Sequence, residues 1–385
     1  MTLSSCCAAP ESAATRSECD LARRRTLPSE VLSLIFDETD TETLSAVLLA
    51  SSECYSIACR SLYREIPNRS TSQKRVQLLQ SLARASDPAF HPSRLPSPAQ
   101  AVRLLSLDFH SANITANLLR LLNRALRATT NLRELLLDFS PGTSFRPTAW
   151  CLEGTTFSLR RLFTSIGLDA TFFAWLSHSN QRGILELNLR GHQMVPYPSV
   201  GAPPPLAPDA LPALKSFRSV HLESACTALF LAGRPVRSVG LTLFPLAADA
   251  TLDTLRGTSV PVRRLTLLCL EESASDVLVS AVAARLPGLE SLHIVILATP
   301  FSMARLLDLA PALARFEELR YVTFMAPDPP GKEALTIDRE REIVAAWAGA
   351  CTTLRTVILP MGQVWYAENG AWRCYADGLE TPETK

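Results

Sequence analysis

The sequence predicts an α/β solenoid of about ten strand–helix units, preceded by a small bundle of three helices. A strand-like phrase with apolar residues at i, i+3 and i+5 recurs ten times, beginning at Val102, Leu132, Leu159, Ile184, Phe217, Val236, Val262, Leu289, Leu319 and Leu354. The 252 residues from the first to the last divide into nine intervals averaging 28, and segments with apolar residues three and four apart fill the gaps. Such a unit cannot hide its apolar faces alone, so units stack and share one core. The bundle is predicted by LPSEVLSLIF at 27–36, whose large apolar residues exceed what so short a helix can cover by itself.

The bundle reads as follows. Pro28 suits a first helical turn, where its missing N–H is no loss, and Glu30 sits near the positive end of the helix. Val31, Leu32, Ile35 and Phe36 fall on adjoining faces. After DETDT, in which Asp40 or Thr41 can cap, ETLSAVLLAS supplies a second helix with Leu44, Val47, Leu48 and Leu49 apolar. SECYSIACRSLYREI follows as a third, with Tyr55, Ile57, Ala58, Leu62, Tyr63 and Ile66 as its buried stripe. The bundle is bounded at 26–68, and SQKRVQLLQSLARAS (72–86) with the proline-containing DPAFHPSRLPSPA makes a linking helix and stiff connector over 69–100.

The solenoid spans 101–360. Its helical segments include NLLRLLNRALRAT (117–129), TFFAWLSHS (171–179), ASDVLVSAVAARL (274–286), FSMARLLDLAPALARF (301–316) and REREIVAAWAGAC (339–351). HQMVPYPSVGAPPPLAPDALP, with seven prolines, interrupts the array as a projecting loop. VWYAENGAWRCYA (364–376) sets Asn369-Gly370 between aromatic-rich runs, the signal of a hairpin, expected over 361–385 as a cap with Trp365 and Trp372 packing inward. A doubly wound α/β domain also alternates strand and helix, but no Gly-rich phosphate loop follows any of these strands.

Composition narrows the function. With 47% hydrophobic and 19% charged residues in 385, the chain can bury a large core. A net charge of +1 supplies no whole-molecule field for nucleic acid or an anionic membrane, and neither partner is expected. No apolar run approaches the roughly 18 residues of a bilayer span. Residues 1–25 lack the apolar centre of a signal peptide and are expected as a disordered tail, so a cytoplasmic or nuclear location follows. The ten cysteines contain no C-x-x-C pair and read as reduced core residues. The histidines lack metal-ligand spacing, and no nucleophile elbow, Walker loop or dinucleotide fingerprint is present. An enzyme is not expected, and no catalytic residue, cofactor or metal is assigned.

The repeated phrase resembles the leucine-rich-repeat family, with His110, Ser140 and His192 where that family favours Asn or Cys after the strand. LPSEVLSLIF, LSAVLLAS and SIACRSLYREI resemble the F-box motif, particularly the form ending in Leu-Tyr-Arg that is common in fungal proteins. F-box proteins dock on the Skp-type adaptor of a cullin RING ubiquitin ligase, and many carry leucine-rich repeats that hold a target. The resemblance therefore implies a substrate-recognition subunit whose Leu27, Pro28, Glu30, Val31, Leu32, Ile35 and Phe36 meet the adaptor. The target would be an unknown protein on the concave face, where Asp108, Glu134, Asp138, Arg161, Glu186, Asn188, Arg190, His221, Arg264, His293 and Tyr321 point outward. The alternative is a non-catalytic interaction scaffold whose F-box has drifted and binds no adaptor. Exposure of Leu27, Ile35 and Phe36 discriminates the two.

Overall fold

The computed structural model describes residues 27–68, 71–84, 97–110, 114–139, 149–190, 205–220, 222–243, 248–269, 275–298, 302–327 and 336–375. The amino-terminal tail, most of the proline-containing connector and of the proline-rich insertion, and His221 lie outside the described residues.

Helix α1 runs Ser29–Asp37 with Pro28 at its N-cap, one place earlier than the first turn. Asp40 caps α2 (Thr41–Val47), its carboxylate accepting from the N–H groups of Thr43 and Glu42, and these hydrogen bonds hold that carboxyl below the usual range. The DETDT stretch is thus a capped turn. Ser51 caps α3 (Ser52–Arg64) through the Cys54 N–H. Phe36, Leu44, Ile57 and Ala58 form a small core, with Leu32, Val47, Leu48, Cys54 and Leu62 packed on it. Leu49, expected on the second helix, lies past its end and is exposed.

Helix α3 stops at Arg64 instead of running through Ile66, because Pro67 disfavours helical backbone at the residue before it. Glu65–Ile66 become β1, parallel to β2 (Leu104–Phe109), with Glu65 opposite Leu104. The third helix therefore serves two cores: Ile57 and Ala58 close the bundle, while Tyr63 packs against the larger one, as does Ile66 just beyond the helix. Helix α4 (Ser72–Arg84) buries Leu79, Leu82 and Ala83 in that larger core against α6 (Ala116–Ala128), and short α5 (Pro98–Ala101) packs on α3. The bundle is clamped to the sheet by backbone pairing as well as by packing.

Among the described residues the sheet has thirteen strands in strict sequence order. After β2 come β3 (Glu134–Phe139), β4 (Arg161–Thr164), β5 (Glu186–Leu189), β6 (Ser216–Ser219), β7 (Ser238–Leu243), β8 (Arg264–Cys269), β9 (Ser291–Ile296), β10 (Tyr321–Met325) and β11 (Thr356–Ile358), all parallel. Among the described residues the order never reverses, so they contain no switch point of the doubly wound kind. The array is solenoid-like. Among the described residues the returns use α6, α7 (Ala170–Leu176), α8 (Ser224–Leu231), α9 (Ala248–Thr254), α10 (Ser275–Arg285), α11 (Met303–Asp308), α12 (Ala310–Leu313) and α13 (Ile337–Ala350). FSMARLLDLAPALARF makes two helices where its periodicity predicts one, since Pro311 lacks the N–H a continuous helix requires.

The first apolar position of nine phrases is buried as expected, and the second position aligns from strand to strand: Leu105, Leu135, Leu162 and Leu187 are successive partners. The same row continues through Phe217 to Val239, which corrects the fifth phrase. It begins at Leu214, fully buried, and not at Phe217. Between β6 and β7, buried Arg234 was not anticipated from the sequence. Its guanidinium donates to the carbonyls of Ala210 (2.9 Å), Leu229 (2.6 Å) and Ala207 (3.3 Å), closing the carboxyl end of α8 where helix dipoles favour a cation.

The array ends in an antiparallel hairpin, β12 (Val364–Glu368) and β13 (Ala371–Cys374). Asn369 and Gly370 take φ of 51° and 82°, the backbone of a tight primed turn. Trp365 is fully buried and donates its indole N–H to Glu340 Oε2 at 2.9 Å; Trp372 packs on the same core. Glu340 is itself 0% exposed, and its Oε1 has no hydrogen-bond partner among the described residues. Burial raises its carboxyl pKa, against the hydrogen bonds from Trp365 and the Met361 backbone. A raised carboxyl pKa stabilises the fold most below the unfolded value near 4.5, and the benefit disappears as pH climbs through the folded value. Glu340→Gln keeps an acceptor for the indole and removes the charge. It should raise stability at neutral pH by about 1 kcal/mol, and its advantage over the wild type should close on acidification; urea unfolding across that range checks both.

Candidate docking surfaces

Helix α1 gathers Ser29, Ser33, Asp37 and Glu30 on one side and its five large apolar residues over the remaining broad arc, which packing splits into two faces. At 3.6 residues per turn, Val31, Leu34 and Ile35 fall within an arc of about 100°; they are 39%, 70% and 47% exposed, and Leu27 just ahead of the helix is 51% exposed. Leu32 and Phe36 turn the other way. Of the residues expected to meet an adaptor, Leu27, Pro28, Glu30, Val31 and Ile35 are on the surface and Leu32 is half-buried. Phe36 is 7% exposed and belongs to the bundle core beside Leu44 and Ile57. Leu34, the most exposed large apolar residue of the helix, was not singled out from the sequence. Helices α4 and α5 pack on α6 and α3 and leave this face open. A cluster of large apolar side chains on so small a module is the usual mark of a protein contact.

The second surface is the sheet face opposite the apolar row. Strand alternation sends residues between the buried positions outward, and register sorts the predicted ones into rows. Glu134, Arg161 and Glu186 are successive partners in one row, which also holds Arg264 and Tyr321. Asn188 and His293 lie in a second row, Asn188 largely buried. Asp108 and Asp138 pair in a third, near the carboxyl ends of the strands.

These residues form two electrostatic groups. Arg161 pairs with Glu134, and that hydrogen bond, with the nearby charges of Glu134 and Glu186, holds the guanidinium more firmly in its charged form. At the other edge, Asp108 accepts from the His110 N–H at 2.8 Å, lies 2.6 Å from His110 Nδ1, and receives Asn68 Nδ2 at 3.3 Å. Burial works against the charge of Asp108, yet these contacts hold its carboxyl below the usual value. Arg190 Nη1 and His110 Nε2 approach Asp138 at 3.8 and 3.9 Å, so this acidic pair is already answered by cations. His293 is half-buried, with Nε2 2.8 Å from Ser291 Oγ. Burial first, then the charges of Arg218 and Arg264, push its pKa down, leaving a neutral imidazole at neutral pH.

Beyond these groups, over β5 to β9, lies a groove of about 790 Å³ that the sequence reading did not find. Lys215, Arg218, Arg237, Arg263 and Arg264 supply its cations, and Glu186 and Glu290 its anions. The signal was present: the residue after the first apolar position of each phrase is basic in LRELLL, VRSVGL, VRRLTL, LRYVTF and LRTVIL.

Among the described residues, no group of His, Cys, Asp or Glu is arranged to hold a metal ion, and no helix is long and apolar enough to cross a membrane. The described cysteines are free thiols, and burial pushes Cys151 up to about 12 and Cys59 and Cys269 to about 11, far from a reactive thiolate. No family model matches the chain, and no curated protein matches it. Among solved structures it is similar to one described as the crystal structure of the Rad7 and Elc1 complex in yeast, at 12% identity over 95% of this chain and 97% of that chain, with a TM-score of 0.35. A likeness of that degree carries no weight for function.

The two faces of α1 give opposite expectations. Phe36→Ala should cost about 3–5 kcal/mol of bundle stability through the cavity it leaves, whereas Ile35→Ala should fall within about 0.5 kcal/mol of wild type. Hydrogen exchange of residues 29–64 reads the difference, and equal protection loss in both variants would contradict the assigned faces.

Proposed function

We propose that this chain is the substrate-recognition subunit of a cullin RING ubiquitin ligase. Its amino-terminal bundle is an F-box that docks on a Skp-type adaptor, and its leucine-rich-repeat-like sheet face holds a target protein. The observation that carries this reading is the open apolar face of α1, formed by Leu27, Val31, Leu34 and Ile35 on a module joined to the sheet at β1. In the scaffold alternative, in which the bundle is an intramolecular cap, Leu27, Ile35 and Phe36 would be covered by residues 72–100; Leu27 and Ile35 are about half exposed, and Phe36 is covered by the bundle's own core.

The mechanism is positioning. Arg103 N–H bonds the Arg64 carbonyl at 2.8 Å, and Tyr63 and Ile66 enter the main core, so the docking helix and the target face move as one body. A rigid link of this kind raises the effective concentration of target lysines near the charged ubiquitin carrier. No group of this chain needs to touch a reacting bond, which is the sense in which it is not an enzyme. An adaptor and its ligase place the chain in the cytoplasm or nucleus.

Leu34 and Ile35 would serve as anchors in an adaptor pocket, with Val31 and Leu27 excluding water around them. The double variant Val31→Asp, Ile35→Asp should lower adaptor affinity more than about tenfold while the thermal unfolding of the sheet stays unchanged. Titration of the purified chain with a recombinant Skp-type adaptor measures it. Undiminished binding by the variant removes α1 from the interface; a folded wild type that binds no adaptor leaves the scaffold reading in its place.

A further inference from the structure

With the fifth phrase corrected to Leu214, the residue after the first apolar position is Arg or Lys in eight of ten phrases; only Leu185 and Glu290 break the run. Backbone hydrogen bonds tie these residues to one another across the sheet: Lys215 N–H to the Leu185 carbonyl at 2.8 Å, Arg237 to Lys215 at 2.9 Å, Arg263 to Arg237 at 2.8 Å. The cations are therefore held at the strand spacing of about 4.8 Å.

Four of the eight cations in this row, Arg103, Arg133, Arg263 and Arg355, already hold a hydrogen-bond acceptor. Arg263 bonds Glu290 and Glu318, while Arg103 and Arg133 turn a guanidinium N–H to the carbonyls of Asn131 and Ser158. The middle differs. Lys215, Arg218, Arg237 and Arg264 form no ion pair with any described residue, and all four line the groove of about 790 Å³. Gly240 makes room for one of them: a Cβ there would meet Arg218 Cγ at 3.0 Å, so the arginine stem lies across the neighbouring strand, above a position without a side chain. Such a placement directs unpaired charge into the groove.

We propose that this groove, between β5 and β9, binds an extended anionic peptide segment whose carboxylate or phosphate groups are taken by Lys215, Arg218, Arg237 and Arg264. The proposal rests on the reading of the open sheet face as the target surface and names the chemistry of the target. Four strand intervals span about 19 Å, the reach of about six extended residues. Arginine forks match carboxylate and phosphate geometry, and Ser216, Ser238 and Asn188 in the lining offer neutral hydrogen bonds between charges. Glu186 and Glu290 in the same lining disfavour an unbroken row of phosphates, and the net charge of +1 lacks the field that nucleic acid binding draws on. A peptide with spaced anions fits; a polynucleotide does not.

Fluorescence anisotropy on the full chain tests this with four labelled probes of about eight residues or nucleotides, enough to cross the groove: alternating Glu and Ser, alternating phosphoserine and Ala, alternating Gln and Ser, and oligo-dT. At least one anionic peptide should bind more than about tenfold tighter than the neutral one, and the tighter of the two identifies the anion. Arg218→Gln, Arg237→Gln, Arg264→Gln should remove about tenfold or more, and the corresponding lysine substitutions should restore part of it. Arg103→Gln, Arg133→Gln, Arg355→Gln should stay within about twofold. Circular dichroism confirms folding, and single Arg237→Gln serves if the triple variant unfolds. Equal affinity for neutral and anionic peptides, equal loss in the flank variant, or tightest binding of oligo-dT overturns the proposal. The Val31→Asp, Ile35→Asp chain should bind the anionic peptide normally, so failure at the bundle and failure at the groove are separable.

Discussion

One seam of apolar side chains, a single residue per strand at one register position, holds the whole array in place. Leu105, Leu135, Leu162, Leu265 and Leu292 are each fully buried in it. A lone strand and its helix leave apolar surface open on both sides, so each unit owes its stability to its neighbours. Each such side chain contributes about 1.5–3 kcal/mol when withdrawn from water. Because strand side chains alternate, directing the seam inward directs the next residues outward, and a slip of one residue would invert every strand. The charged rows of the open face are a by-product of that burial.

A seam of this kind must be closed at both ends, and the two closures differ. At the amino end α4 lies on the first unit, and the Arg75 guanidinium stands 5.7 Å from the centre of the Phe109 ring. At the carboxyl end the hairpin covers the last strand and brings Trp365 onto a buried carboxylate. The amino-terminal closure also transmits orientation. Helix α3 contributes to both cores, so the exposed face of α1 and the groove on the sheet are held at a fixed geometry by the same residues that make the junction stable. Positioning as a mechanism depends on that stiffness.

The periodic parts of this structure were legible in the sequence, and the misread places share a cause. FRSVHL carries apolar residues at 217, 220 and 222 and looks as good a phrase as its neighbours. Only the pairing of Phe217 with Leu187 and Val239 shows that the unit began three residues earlier. Likewise the apolar arc of SEVLSLIF is about 200° wide, broader than one buried stripe, so a helical wheel cannot say that Phe36 goes inward and Leu34 outward. Arg234 carried no local signal, since its acceptors at Ala207 and Ala210 arrive from another segment of the chain.

What the sequence by itself determined is whatever depends on spacing along the chain: the α/β class, the start of nine of the ten repeated phrases, the capped turn at Asp40, and the turn at Asn369-Gly370 where positive φ is required. What only the tertiary structure decided is which groups are covered and which charges are left unpaired. Arg263 and Arg237 occupy the same position in successive phrases, yet Arg263 is neutralised by Glu318, 55 residues away, and Arg237 has no ion-pair partner among the described residues. Burial and charge pairing are sums over neighbours in space, and local periodicity contains no information about residues that the fold brings together from so far apart.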